Sequence, residues 1–179
     1  MSIRRFYLIF AALLTVPLVH AAAPRDPSTH FFSQTLGDFQ DELATAKAQG
    51  KDGVLLFFEQ SDCPFCHHMK QTVLNQPQVQ AYFTKHFLCF PVDIEGDVQI
   101  TNFQGKNMSE KDFAFKQNRV RATPVFMFYN LQGKPVVRYT GETSGVHEFM
   151  LLGKYVVDGV YRKMPFIRYK REQRDTTLQ

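Results

Sequence analysis

A short apolar run, Val54-Leu55-Leu56-Phe57-Phe58, leads after the polar step Glu59 to Asp62 into the tetrapeptide Cys63-Pro64-Phe65-Cys66. Bounded by Gly53 on one side and Gln60-Ser61-Asp62 on the other, the run reads as a buried central strand. Met69, Val73 and Leu74 then return at helical spacing, so the two cysteines fall at a strand-to-helix joint. Such a joint constrains both fold and chemistry. A helix start offers unpaired backbone N–H groups and the positive end of the macrodipole, which stabilise a thiol there as the reactive thiolate. Pro64 suits the first helical position, where its missing N–H costs nothing.

The rest of the chain supplies a consistent order of elements. A polar leader, 22–35, precedes a first helix marked by Phe39, Leu43 and Ala46 and closed by Gly50. Asn75-Gln76-Pro77 breaks the helix that follows the cysteines, and Val79, Tyr82 and Phe83 begin a second helical piece. A strand over 87–94 completes a β-α-β unit and predicts parallel pairing with the first strand. Residues 95–108 have few apolar anchors and read as an insertion loop. Ser109, with Asp112 three residues on, starts a helix that ends near Asn118. Thr123-Pro124 introduces a strand over 125–129, and the turn 130–133 returns it as a hairpin over 134–139. A last helix spans about 145–158.

Arg4 and Arg5 ahead of an apolar stretch from Phe6 to Val19, followed by small residues, form a secretory signal peptide, with cleavage expected after Ala21. The stretch is short for a bilayer span, so no stable membrane insertion is expected after cleavage. The net charge of +4 loses both arginines with the signal and becomes too small to argue for nucleic acid. Arg162, Lys163, Arg168, Lys170, Arg171 and Arg174 concentrate positive charge in the C-terminal stretch, read as a solvated end. Of three cysteines, Cys63 and Cys66 form the obvious pair. Cys89, inside Phe87-Leu88-Cys89-Phe90, is expected to behave as a small buried hydrophobe.

Phe58-Glu59-Gln60-Ser61-Asp62-Cys63-Pro64-Phe65-Cys66-His67, Val92-Asp93-Ile94-Glu95-Gly96-Asp97, Arg121-Ala122-Thr123-Pro124 and Tyr161-Arg162-Lys163, in this order of elements, resemble the thioredoxin superfamily, and within it the exported SoxW-like thioredoxin-related proteins. The resemblance implies an α/β thioredoxin fold: a central mixed sheet flanked by helices, with the insertion before the helix that precedes the cis-proline strand. It divides the chain into signal peptide 1–21, leader 22–35, thioredoxin-like domain 36–164 and basic tail 165–179. The implied activity is that of a periplasmic thiol:disulfide oxidoreductase that reduces exported proteins or partners in sulfur metabolism. Disulfide-bearing exported proteins would be its substrates and a membrane thiol-electron transporter its reductant. No cofactor beyond the Cys63–Cys66 pair is expected.

The resemblance also assigns roles. Cys63 is the nucleophile that attacks a substrate disulfide, and Cys66 resolves the mixed disulfide. Pro64, Phe65 and His67 modulate the site, and Thr123-Pro124 matches the family's cis-proline position, which pairs with extended substrate backbone. The buried acid of thioredoxins falls on Phe57 and its facing lysine on Pro91, so the usual proton relay is missing. Glu59, two residues further along the same strand and hence on the same face, is the candidate substitute acid/base. The alternative reading of Glu59 is a solvated carboxylate at a strand end.

Rival chemistries use the same residues. Cys63 to His67 also spells the C-x-x-C-H pattern of c-type haem attachment, although that role needs no Thr-Pro hairpin downstream. Cys63, Cys66, His67, His68 and Met69 are soft ligands for Cu(I) or Zn(II). Consecutive helical histidines diverge, however, and no metal is assigned. A purely structural disulfide is a poor use of so short a loop, since little chain entropy is removed.

Overall fold

The computed structural model describes residues 23–177; the expected signal peptide at 1–21 lies outside them. In chain order the elements are α1 (Pro27–His30), α2 (Phe39–Ala48), β1 (Gly53–Glu59), α3 (Pro64–Thr72), α4 (Pro77–His86), β2 (Phe87–Asp93), β3 (Gln99–Thr101), β4 (Asn107–Ser109) and α5 (Glu110–Asp112). A π-helical turn, Phe113–Gln117, continues α5 and is followed by β5 (Val125–Asn130), β6 (Pro135–Thr140), α6 (Val146–Val157), a 3-10 turn (Val160–Arg162) and α7 (Phe166–Thr177). The main sheet has the order β2-β1-β5-β6. β1 and β2 run parallel, whereas β5 is antiparallel to both β1 and β6. The β-α-β unit and hairpin expected from periodicity are therefore present in one mixed sheet.

Alternation along β1 divides the core. Leu55 and Phe57 join Cys63, Cys66, Met69, Phe83, Phe126, Phe128 and Phe149 on the face covered by α3, α4 and α6. Val54, Leu56 and Phe58 join Phe39, Leu43, Phe90, Phe113 and Val125 on the face covered by α2 and the insertion. With 18 phenylalanines and no tryptophan, both layers are largely aromatic; Phe83 stacks on Phe149 at 4.4 Å and Phe39 on Phe103 at 5.1 Å.

Three segments differ from their expected loop or tail character. The leader forms the short α1, capped by the Asp26 side chain on the Ser28 N–H. It buries Phe31 completely and stacks Phe32 on Phe57 at 5.7 Å. Burying a phenylalanine stabilises a fold by about 2 kcal/mol, enough to tie a polar stretch down. The insertion pairs β3 with β4, and buried Ile100 and Phe103 anchor it beside Phe39. Its Asn102 carboxamide oxygen accepts from the Gln104 and Lys106 N–H groups, closing the turn. The basic tail forms α7, which buries Tyr169. Lys170 donates to the buried Glu148 of α6 at 2.6 Å, and Glu148 also takes the Ser144 N–H and hydroxyl. Burial opposes ionisation of Glu148, but Lys170 and Ser144 outweigh it and hold the carboxyl at about 2.

β2 is an edge strand, and its outer side is occupied. Ser33 N–H donates to the Cys89 carbonyl at 2.8 Å, Pro91 has no N–H, and the Asp93 N–H is taken by the Glu110 carboxylate.

Candidate active site

The end of β1 and the start of β5 meet at one end of the sheet. Their register pairs Phe58 with Val125, so the turn after β1 lies opposite Thr123-Pro124. That peptide bond is cis. The Thr123 hydroxyl donates to the Gln60 carboxamide oxygen at 3.4 Å, and the Gln60 carbonyl accepts the Cys63 N–H at 3.2 Å. One glutamine thus ties the proline loop to the turn that delivers the cysteines.

Cys63 is the N-cap of α3 and Pro64 its first residue. The Cys63 sulfur accepts the Cys66 N–H at 3.0 Å, so an orphan donor of the first turn points at that sulfur. Cys63 and Cys66 are joined in a disulfide with Cα atoms 5.2 Å apart. Both are buried, while Phe65 between them is 55% exposed. An apolar ring thus stands in solvent between two covered sulfurs. When the bond opens, the helix start stabilises a negative charge on Cys63.

His67 is exposed and its Nε2–H donates to the Ser61 carbonyl at 2.9 Å. His68 turns away and bonds Glu142 through Nδ1 at 2.8 Å. Met69 lies in the core, with the Thr143 hydroxyl 3.8 Å from its sulfur. Among the soft ligands, Cys63 and Cys66 thus bond each other, while His67, His68 and Met69 each have a separate partner.

The missing acid and lysine occupy paired positions, as the sequence comparison implied: Phe57 lies opposite Pro91 in the β1–β2 register. Glu59 extends beyond Phe57 on the same face and is not a free carboxylate. Lys70 of α3 binds both its oxygens, at 2.8 and 2.5 Å. The ammonium lies 5.8 Å from the ring centres of both Phe32 and Phe57. Lys70 was missed in the sequence, although its place one helical turn after Cys66 could have pointed to it. Glu59, His67 and Lys70 also line a groove of about 950 Å³ whose other walls include the leader, Pro91 and, from the segment after β2, Val98, Ile100 and Glu110.

Cys89 is the free cysteine and is buried; burial pushes its thiol well above the ordinary range. Its expected role as a small core residue matches this placement.

Fold and site together define a thioredoxin fold bearing a Cys-x-x-Cys disulfide at a helix start. The family model described as the thioredoxin-like domain matches residues 39–156, and the chain belongs to that family. No curated protein matches it. Among solved structures, it is similar to a thioredoxin-fold protein from Helicobacter pylori, at 20% identity over 73% of this chain and 88% of that one, with a TM-score of 0.58. A thioredoxin from Thermus thermophilus is 25% identical over 67% and 84% of the two chains, with a TM-score of 0.53. A DsbH oxidoreductase is 20% identical over 84% and 94%, with a TM-score of 0.55.

Proposed function

We propose that this protein is a thiol:disulfide oxidoreductase working through reversible opening of the Cys63–Cys66 disulfide. The observation that carries the reading is the placement of this disulfide on the first turn of α3, with Thr123-Pro124 tied to the same turn by Gln60. In the reducing direction, the Cys63 thiolate attacks a substrate disulfide, forming a mixed disulfide and releasing one substrate thiolate. The Cys66 thiol then loses its proton and attacks Cys63, which regenerates the intramolecular disulfide and releases the second thiolate. Glu59, on the Phe57 face of β1, is the candidate to accept that proton, and Lys70 orients its carboxylate. Phe65 and the Thr123-Pro124 loop would contact substrate, and His67, held by Ser61, would fix the turn beside the cysteines.

The N-terminal sequence supports a periplasmic setting, and the motifs support a SoxW-like role in reducing exported proteins or sulfur-metabolism partners. A membrane thiol-electron transporter would then return the electrons, and the disulfide would be the sole redox group. Equilibration with glutathione buffers tests the direction. A potential near that of thioredoxin, about −270 mV, fits a reductant, whereas one near −120 mV overturns that direction. Cys66→Ser should trap a mixed disulfide through Cys63, and failure to trap any would overturn the exchange reading.

A further inference from the structure

The segment entering the proline loop carries a cationic shelf that the exchange chemistry does not use. The π-helical turn buries Phe113 and Ala114 and leaves Phe115 50% exposed. Arg121, two residues before Thr123, places its guanidinium carbon 5.0 Å from the Phe115 ring centre. The backbone between them is firmly held. Val120 is buried and its N–H donates to the Ala114 carbonyl at 2.9 Å. Arg119 adopts φ of 53°, a conformation unusual for a side-chain-bearing residue. Arg138 fixes it by donating to the Asn118 and Arg119 carbonyls at 2.9 and 3.3 Å, and Tyr129 donates to the Asn118 side chain at 2.5 Å.

This scaffold presents Arg121 with its ring-facing side covered. Stacking on an aromatic face leaves the guanidinium edge donors open, and those donors match a carboxylate in fork geometry. No carboxylate of the described residues forms an ion pair with Arg121, whereas neighbouring Lys116 is paired with Asp112 at 2.8 Å. Arg119 and Arg121 are exposed on either side of buried Val120 and give this approach to the site a positive charge. A substrate backbone laid along Thr123 would carry its neighbouring side chains past this shelf.

We propose that Arg121, stacked on Phe115, is a specificity determinant that favours polypeptide disulfides with an aspartate or glutamate within a few residues of the attacked cysteine. The inference rests on the exchange function above and adds the class of substrate. Exposed charge pairs are individually weak and are screened by salt, so the expected preference is modest and falls as salt rises.

The test compares two peptides that differ only by glutamate or lysine beside a disulfide-bonded cysteine. Their reduction rates are each divided by the rate on the uncharged bis(2-hydroxyethyl) disulfide for the same protein. At low salt the glutamate peptide should be favoured by about fivefold, R121Q should bring the ratio close to one, and R121E should reverse it. F115A should lower the ratio, because the guanidinium loses its platform. The same preference in R121Q and R121E as in the unmodified protein overturns the assignment while leaving exchange intact. Failure of the unmodified protein to reduce the uncharged disulfide overturns the exchange reading and this inference with it.

Discussion

The cysteine pair and Cys89 are buried alike, with exposures of 4% for Cys63, 1% for Cys66 and 1% for Cys89. Their surroundings are opposite. Cys63 caps a helix and receives a backbone N–H on its sulfur, whereas Cys89 lies within β2, where burial raises its thiol pKa. Depth therefore does not distinguish these sulfurs; the direction of nearby backbone dipoles does. A similar contrast separates two glutamate–lysine pairs. Glu148–Lys170 joins α6 to α7 far along the chain, while Glu59–Lys70 joins β1 to the helix that carries the cysteines.

The sharpest way to break the cysteine contrast is alkylation of the reduced, folded protein. Cys63 should react with iodoacetamide at least about a thousandfold faster than Cys89, with Cys89 labelled only after unfolding. Peptide mapping by mass spectrometry reads both, and comparable labelling would end the distinction. The carboxylate contrast is tested next with Lys170→Met, which should cost about 3 kcal/mol at neutral pH by leaving Glu148 buried without its cation. The folded-state carboxyl of Glu148 lies at about 2, below its unfolded value near 4.3. Its contribution is thus full above the unfolded value and disappears as pH falls toward 2. Denaturant unfolding across this window should show a flatter decline in Lys170→Met than in the unmodified protein. The smallest effect concerns Glu59→Gln, expected to slow resolution of a trapped mixed disulfide by about tenfold. Stopped-flow release of the substrate thiol measures it, and an unchanged rate leaves Glu59 with only its bond to Lys70.

Periodicity makes the sheet and its covering helices legible, because Val54 to Phe58, Phe39-Leu43-Ala46 and the 125–139 hairpin each carry a local pattern that tertiary packing reinforces. The additions were harder to read for a physical reason. The leader is anchored by Phe31 and Phe32 within polar sequence, the insertion by Ile100 in a strand too short to show alternation and by Phe103 in the turn after it, and α7 by Tyr169 among charges. At the site, the Cys63–Cys66 motif and Thr123-Pro124 are visible as words in the sequence. Spacing puts Lys70 one turn after Cys66, but its contact with Glu59, like that of Arg121 with Phe115, lies between segments and is not displayed by any spacing rule.

A strand from another molecule laid along β2 would find the Cys89 carbonyl already used, no hydrogen on the Pro91 nitrogen, and the Asp93 N–H committed to Glu110. Ser33 of the leader, Pro91 and Glu110 thus act together as a stopper against sideways growth of the sheet. While the chain is folding, this closes one route by which copies could accrete before the core is complete.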